Sequence, residues 1–466
     1  MPTDSQAILV IDLAFGDCGK GTVVDYLTRR FGAHTVVRFN GGPQAGHNVV
    51  TPDGRHHTFS QFASGSLVPG VRTLLSRFML IEPYALFNEA AHLAEVSVAD
   101  AMGRLLIDAD CPVITPAHQA ANRLREIARG DGAHGTCGVG AGEAMADLAA
   151  NPELMLHARH LGDRALVIRK LRAQCELKAE QCRVLAQLRN HPRASQSIET
   201  LNDRSWIEVA ADNYAELARH AAIIGSSEVR AALRAPGAVI FEGAQGVLLD
   251  ESYGFHPHTT WSTTTLANAQ ALLDEAGNSH ARTRLGVLRT YFTRHGPGPF
   301  VTEDDALRPA LPEPHNGDAG WQGRFRVGPF DAVAARYALA VAGGVDGLAV
   351  THLDRLPQLP PRVCTAYVEA TGAGPAQAGD DDDDDFVRSA DRIADIRVPP
   401  APDEGRLVRL TARLRECTPI YRDVPGVGGA EAFMDVVRRE LGKPIMITSA
   451  GPTHLDKECL EGGWSD

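Results

Sequence analysis

Short, unbroken apolar runs that stop at glycine or proline recur along this chain, and they leave it few folds. Residues 7–12 run apolar into a glycine turn, and Gly21 to Arg30 follows as a helix with Val23, Val24 and Leu27 on one side. Thr35-Val36-Val37-Arg38-Phe39 repeats the pattern and ends at Asn40-Gly41-Gly42-Pro43. Ala238-Val239-Ile240-Phe241, Leu285-Gly286-Val287-Leu288, Leu348-Ala349-Val350-Thr351 and Pro444-Ile445-Met446-Ile447-Thr448 are of the same kind. A strand covered on both faces reads as such a run, whereas a half-exposed strand alternates. Helical stretches such as Asp331 to Ala342 fall between the runs. The alternation predicts an α/β fold: a large central, mainly parallel sheet flanked by helices, with a helical insertion and smaller peripheral subdomains. We expect one domain over 1–466. Residues 145–235, rich in Leu, Ala, Arg and Glu, read as the helical insertion. Residues 372–390 read as a solvated acidic loop, because the six like charges of Asp380–Asp385 repel one another. Adjacent carboxylates there lack a fixed geometry for a cation.

Composition narrows the function classes. A net charge of −12 argues against a broad basic surface, so nucleic acid is not an expected partner. No stretch reaches the roughly 18 apolar residues of a membrane span, and the N-terminus lacks the basic and apolar regions of a signal peptide. Eight cysteines at irregular spacings, with no CxxC pair, fit free thiols and a cytoplasmic setting.

Six segments carry chemistry. In Gly16-Asp17-Cys18-Gly19-Lys20-Gly21-Thr22, glycines let backbone N–H groups approach a phosphate, the following helix adds its positive end, and Lys20 supplies a cation. Asp17 suits a Mg²⁺ ion or a proton. The same composition also makes a plain strand-to-helix turn with an N-capping Asp. Ala14 stands where a GxxxxGK[ST] loop has its first glycine, so that spacing is not met. His47, closing Asn40-Gly41-Gly42-Pro43-Gln44-Ala45-Gly46-His47, is placed for a general acid or a phosphate donor, or for a backbone bond in its loop. Gln245, in Glu242-Gly243-Ala244-Gln245-Gly246, follows a strand end, where ligands bind in such sheets. The hydroxyl-rich stretch that includes Thr260 suits phosphate or ribose. Arg324 and Arg326 suit an anionic ligand or a surface ion-pair loop. Asp354, in Thr351-His352-Leu353-Asp354, suits the hydrogen-bond edge of guanine, and Ser449-Ala450-Gly451-Pro452 closes another strand.

In this order the segments resemble the adenylosuccinate synthetase family. Its Gly-Asp-Glu-Gly-Lys-Gly-Lys loop is similar to 16–22, its Gly-Gly-x-Asn-Ala-Gly-His to 41–47, and its Gly-Thr-Thr-Gly-Arg-Gly to Gly135-Thr136-Cys137-Gly138-Val139-Gly140. Its Phe-Glu-Gly-Ala-Gln-Gly-x-Leu-Leu-Asp resembles Phe241 through Asp250. Its Ser-Thr-Arg-Val-Gly-x-Gly-Pro-Phe-x-Thr-Glu resembles 292–303, its Thr-Lys-Leu-Asp 351–354, its Pro-Ile-Tyr-x-x-x-Pro-Gly 419–426 and its Ser-Thr-Gly-Pro 449–452. The resemblance implies a P-loop-related fold and a ligase that forms a carbon–nitrogen bond. GTP and Mg²⁺ phosphorylate the 6-oxygen of IMP, and an amine, aspartate in the family, displaces the phosphate. It implies Asp17 as base and Mg²⁺ ligand, with Gly46 as a second ligand, His47 as acid and Gln245 at the 6-oxygen. It further implies nucleotide contacts at Gly16, Gly19, Lys20, Gly21, Thr22, Gly46, Thr136, Cys137, Thr260, Arg324, Arg326, Asp354, Ser449 and Gly451. A cytoplasmic homodimer acting on small-molecule nucleotide and amine substrates goes with it.

The departures cluster. Cys18, Thr22 and Gln44 replace a glutamate, a lysine and an asparagine of the family's loops. Cys137 replaces a phosphate-binding threonine and Val139 an arginine. Ala150-Asn151 offers no intersubunit arginine, His295 replaces a valine and His352 a lysine. Trp321-Gln322-Gly323-Arg324-Phe325-Arg326 stands in the family's aspartate-binding loop, one residue shorter. The phosphoryl-transfer residues are kept while the substrate pockets are rewritten. The expectation is a divergent member with a different amine donor, an altered purine-like acceptor, or both. The remaining readings are the ordinary family activity with compensating residues elsewhere, a regulatory nucleotide-binding protein without catalysis, and a nucleotide 6-oxygen kinase or ligase in a modified-nucleotide or specialised-metabolite pathway. His352 keeps ATP open beside GTP.

Overall fold

A computed structural model of the chain describes residues 5–313, 316–318, 320–370, 385–424, 429–460 and 464. Its centre is a ten-stranded sheet in the order Lys457–Cys459, Ile445–Ser449, Gly347–Thr351, Ala281–Arg289, Gln6–Asp12, Ala238–Glu242, Thr35–Arg38, Arg72–Leu75, Leu105–Asp108, Ala222–Ile224. Neighbours are parallel throughout except the edge strand Lys457–Cys459. The large, mainly parallel sheet is the one the apolar runs predict. Gln6–Asp12 lies near its middle, with Ile8 opposite Ile240 on one side and Thr283 on the other. Ala7 through Val10 are wholly buried, as a strand with helices on both faces requires.

Four strands carry no bounded apolar run. Arg72–Leu75 and Leu105–Asp108 each hold a charge at one end, and Ala222–Ile224 and Lys457–Cys459 are three residues long. Edge and near-edge strands bury less, so their sequences carry less signal. Between residues 141 and 234 lie the helices Ala141–Ala150, Arg164–Cys182, Ser195–Asn202, Trp206–His220 and Ser226–Arg234. A separate antiparallel sheet joins Phe386–Ser389, Arg392–Ile396, Arg362–Glu369 and Cys417–Asp423, and Tyr291–His295 pairs with Phe325–Pro329. Most of the acidic segment, through residue 384, lies outside the described residues. Asp385 is 9% exposed and takes ion pairs from Arg406 and Arg413, each at 3.0 Å. Among the described residues, no helix is long and apolar enough to cross a membrane. All eight cysteines are free.

Parallel strands end on one edge. Asp12, Arg38, Glu242, Thr351 and Ser449 therefore deliver their following loops to the same rim, where ligands of open α/β sheets bind.

Candidate active site

Asp12 organises the glycine loop. Its Oδ1 accepts from the N–H groups of Ala14 (2.9 Å) and Gly16 (3.2 Å), and its Oδ2 from the N–H of Cys18 (3.0 Å) and from Lys20 Nζ (3.0 Å). The carboxylate is fully buried and Lys20 is 3% exposed, so the loop wraps around an ion pair. The helix Lys20–Arg30 begins at Gly19 with no side-chain cap, so Asp17 is not an N-cap here. Asp17 holds φ at 59°, a left-handed conformation costly for a residue with a Cβ. Its carboxyl is pushed above the usual carboxylate range. Burial is the main cause, opposed by His295, Lys20 and Arg289. His295 Nε2 lies 3.6 Å from it, and Arg289 donates to the Asp17 carbonyl at 3.0 Å.

His47 faces this loop. A Cβ on Gly21 would lie 2.8 Å from the His47 Cβ and 3.0 Å from Ser64 Oγ, so only glycine lets the first helix approach so closely. His47 Nδ1 donates to Glu242 Oε1 at 2.6 Å, and the N–H and hydroxyl of Ser64 also donate to Glu242. Burial holds the His47 pKa down to about 4 although Glu242 favours the charged ring. Burial would raise Glu242. The hydrogen bond from His47 and the charge of Arg38 override it and hold Glu242 down to about 2. At neutral pH the ring is therefore uncharged, with Nδ1–H on an ionised carboxylate and a lone pair at Nε2. The wholly buried Arg38 donates to the Phe62 carbonyl at 3.0 Å.

Gln245 completes the rim. It too is left-handed, with φ at 57°, and neither atom of its buried amide has a partner. Asn40 fixes the turn by donating to the Ala244 carbonyl (3.0 Å) and accepting from its N–H (2.7 Å). A Cβ on Gly246 would meet the Ala14 carbonyl oxygen at 2.1 Å, so this turn and the phosphate loop touch through backbone alone. On the other side Thr351 Oγ1 donates to the Cys18 carbonyl (2.7 Å) and Thr22 Oγ1 to the Pro452 carbonyl (2.8 Å). Of five left-handed non-glycine residues among those described, Asp17, Gln245 and His352 belong to this rim. Left-handed residues of this kind cluster at ligand-binding turns, which makes the rim the candidate site.

The remaining candidates are placed less uniformly. Gly46 is exposed beside His47. Asp354 pairs with Arg355 at 3.2 Å. Ser449 Oγ donates to the Gly451 carbonyl at 3.2 Å. Thr136 Oγ1 accepts from Asn122 (3.3 Å), and burial raises the Cys137 thiol to about 11. Their loop reaches the segment of Thr260 where His258 Nδ1 meets the His134 carbonyl at 3.2 Å. Arg324 and Arg326 are engaged elsewhere. Arg324 pairs with Asp305, and Arg326 with Glu303 at 2.8 Å and the Gly298 carbonyl at 2.6 Å. Asp12, Arg38, Ser64, Glu242 and Arg289 carry no assignment from the sequence. For Asp12 and Glu242 a signal exists: each is a carboxylate closing an otherwise apolar, two-face-buried strand.

A family profile for adenylosuccinate synthetase matches residues 9–456. The chain is 33% identical over 468 residues to the adenylosuccinate synthetase of Vibrio parahaemolyticus, covering 96% of each chain. It is 32% identical to that of Mycobacterium leprae, covering 92% of this chain and 90% of the other. Its fold is similar to a fully ligated adenylosuccinate synthetase from Plasmodium falciparum, with a TM-score of 0.73, 19% identity, and 97% and 99% of the two chains covered. It is also similar to the succinoaminodeoxyadenylate synthetase of cyanophage S-2L bound to dGMP and dATP as an energy donor, with a TM-score of 0.59, 17% identity, and 98% and 96% covered. This chain belongs to the adenylosuccinate synthetase family, whose members are ligases forming carbon–nitrogen bonds.

Proposed function

We propose that the chain uses GTP to phosphorylate the 6-oxygen of a 6-oxopurine nucleoside monophosphate, with IMP the first candidate, and lets the amine of an amino acid displace the phosphate. The carrying observation is Gln245. Buried polar groups are almost always paired, and an amide held in a left-handed turn with both atoms open is set for a ligand. A 6-oxopurine offers the complement, an acceptor at O6 and a donor at N1.

Asp17 takes the N1 proton. Its burial-raised pKa brings it nearer the pH at which it works, and a general base is most effective there. Loss of that proton puts negative charge on O6, the atom that attacks the γ-phosphate. Lys20, held by Asp12, and the N-terminal end of helix Lys20–Arg30 are the proposed stabilisers of the charge that spreads over the transferring oxygens. His47 is neutral in the unliganded site. A triphosphate beside Nε2 favours its protonation, and Glu242, already ionised at Nδ1, stabilises the imidazolium that then donates to the leaving phosphate.

Mg²⁺ fits the residues present. It takes one or two carboxylates plus phosphate oxygens rather than an all-protein cage. Asp17 supplies one carboxylate beside the phosphate loop, and no cluster of three or more metal-ligating side chains occurs among the described residues. Asp17 and the Gly46 carbonyl are the proposed ligands. Bound there, Mg²⁺ would neutralise charge on the triphosphate. Asp354 is the proposed reader of guanine, Thr260 and Thr136 of the acceptor phosphate, and the cytoplasmic homodimer belongs to the same proposal. Cys137, Val139 and Trp321 in the substrate half support an altered amine or acceptor. The test is phosphate release from GTP or ATP with IMP or dGMP, with and without L-aspartate. Amine-dependent release with a 6-oxopurine nucleotide is expected. Release independent of any amine would favour a kinase, and no release with any pair would overturn the proposal.

A further inference from the structure

The left-handed conformation of Asp17 is costly for a residue with a Cβ, and two neighbouring strand ends grip the main chain at that point. Arg289, the last residue of strand Ala281–Arg289, donates from Nη1 to the Asp17 carbonyl at 3.0 Å. Thr351, the last of Gly347–Thr351, donates to the next carbonyl, that of Cys18, at 2.7 Å. Arg289 is 1% exposed, and its other nitrogen is engaged by a distant segment. Its Nη2 donates to Glu313 and to the Tyr291 hydroxyl, which itself donates to Glu313 at 2.6 Å. The guanidinium also lies 3.9 Å from the Tyr291 ring centroid. Leu311, two residues before Glu313, is buried with Tyr291, Phe325 and Val327, so the carboxylate is delivered from a packed anchor. Asn316 donates its N–H to the Glu313 carbonyl at 3.0 Å, and its side chain meets His295 Nε2 at 3.2 Å. That same His295 atom is 3.6 Å from the Asp17 carboxylate.

Glu313 and Asn316 thus reach Asp17 along two lines, one ending on its carbonyl and one on its carboxylate. The first is the stronger. A guanidinium buried this deeply is costly without a carboxylate, and Arg289 has one only because the chain 24 residues further on supplies it. Its Nε has no partner, so the two Nη groups alone hold the guanidinium between Glu313 and Asp17. Without Glu313 the unpaired charge would turn toward solvent and release the Asp17 carbonyl. We infer that Glu313, acting through Arg289, is the positioning residue of the base: it fixes the Asp17 peptide so that the carboxylate stays aimed at the acceptor nucleotide. The inference rests on the proposed reaction, in which Asp17 takes the N1 proton. It gives Glu313, from the connection between the short helix Asp305–Ala310 and strand Phe325–Pro329, a part in proton abstraction without any contact with substrate. That step is sensitive to placement, because a base must lie within hydrogen-bond reach of the proton it takes.

Arg289→Lys keeps the buried positive charge and an ion pair with Glu313, but one ammonium cannot span Glu313 and the Asp17 carbonyl as the planar fork does. Glu313→Ala removes the carboxylate, and Glu313→Gln keeps an acceptor for both of its bonds without the charge. With GTP, IMP and L-aspartate, Arg289→Lys and Glu313→Ala are expected to lower kcat per folded chain by about tenfold or more, the order of loss from a displaced base. The KM for GTP and for IMP should stay within about twofold, and Glu313→Gln should fall between the parent and Glu313→Ala. A merely structural role would reduce the folded fraction and leave kcat per folded chain unchanged. A kcat within about threefold of the parent in both Arg289→Lys and Glu313→Ala overturns the inference. Hydrogen–deuterium exchange of the unliganded chain reads the loop without turnover. Exchange over Leu13 to Gly21 should quicken by about tenfold or more in Glu313→Ala, with helix Ser226–Arg234, which makes none of these bonds, as the internal standard. Exchange there that matches the parent also overturns the inference. If the parent releases no phosphate, the proposed reaction falls, and the exchange result alone decides whether Glu313 holds the Asp17 loop.

Discussion

Glu242→Gln is the most informative single change, because it keeps the shape of the His47 dyad and removes its charge. The amide oxygen still accepts the Nδ1–H bond now made at 2.6 Å, while the amide NH2 takes the place of the oxygen that accepts from the Ser64 N–H and loses that bond. What disappears is the ionised carboxylate opposite an imidazolium. With charge centres about 4 Å apart and an effective dielectric constant of about 20, the attraction is about 4 kcal/mol. Fully expressed in the transition state this equals about 10³ in rate, and partly expressed about 10². Arg38, wholly buried, loses the neighbouring anion as well, which costs about 3–5 kcal/mol of stability if nothing compensates. The assay must therefore read kcat per folded enzyme, with phosphate release from GTP and IMP at 20 °C or so and circular dichroism on the same samples. The expected result is a fall of about 10²–10³ in kcat with the KM for GTP nearly unchanged. A folded variant whose kcat stays within about threefold of the parent would refute the role assigned to His47.

Three further outcomes follow from the same geometry. Gln245→Ala removes an amide that nothing in the protein satisfies, so stability should hold or rise by up to about 1–3 kcal/mol while the nucleotide KM climbs at least about tenfold; a lower Tm with unchanged KM would make Gln245 structural. Gly21→Ala drives a Cβ to 2.8 Å from the His47 Cβ, costing about 1–3 kcal/mol and displacing the ring, whereas Gly103→Ala, with nothing within 4 Å, should change neither Tm nor kcat. Acid should lower stability in two stages. His47, lowered to about 4, leaves the folded state with fewer protons than the unfolded one between pH 4 and 6.5, so stability falls as pH drops through that window, by about 3 kcal/mol from 2.5 units at 1.36 each. Glu242, lowered to about 2, adds a second loss below pH 4.5, and urea titrations in which His47→Phe leaves the upper stage unchanged would contradict the assignment.

The central strands, and Asp17, Lys20, His47 and Gln245, were legible because each sits at a fixed offset from an apolar run and its glycine turn. The sheet order then brings them together with no further information. Asp12 and Glu242 were printed in the same runs, yet a run reads as apolar and hides the one carboxylate that ends it. Arg324 and Arg326 show the opposite limit. Their residue type suits an anion, but their partners Asp305 and Glu303 lie 19 and 23 positions away, and only the folded hairpin tells that they are taken. Arg289 and Glu313 lie 24 positions apart, and no spacing rule links them to Asp17.

The position of Gln6–Asp12 between Ala238–Glu242 and Ala281–Arg289 has a consequence for how the protein is made. The strand leaves the ribosome before its two neighbours, which are translated more than two hundred residues later. At about 5–20 residues per second it stays unpaired for on the order of 10–60 s. Its final lock comes later still, when Pro452 reaches Thr22. Until then the most apolar segment of the chain presents two open edges, each a template for pairing with another chain. A holdase that covers this strand while it is unpaired should therefore raise the yield of folded enzyme.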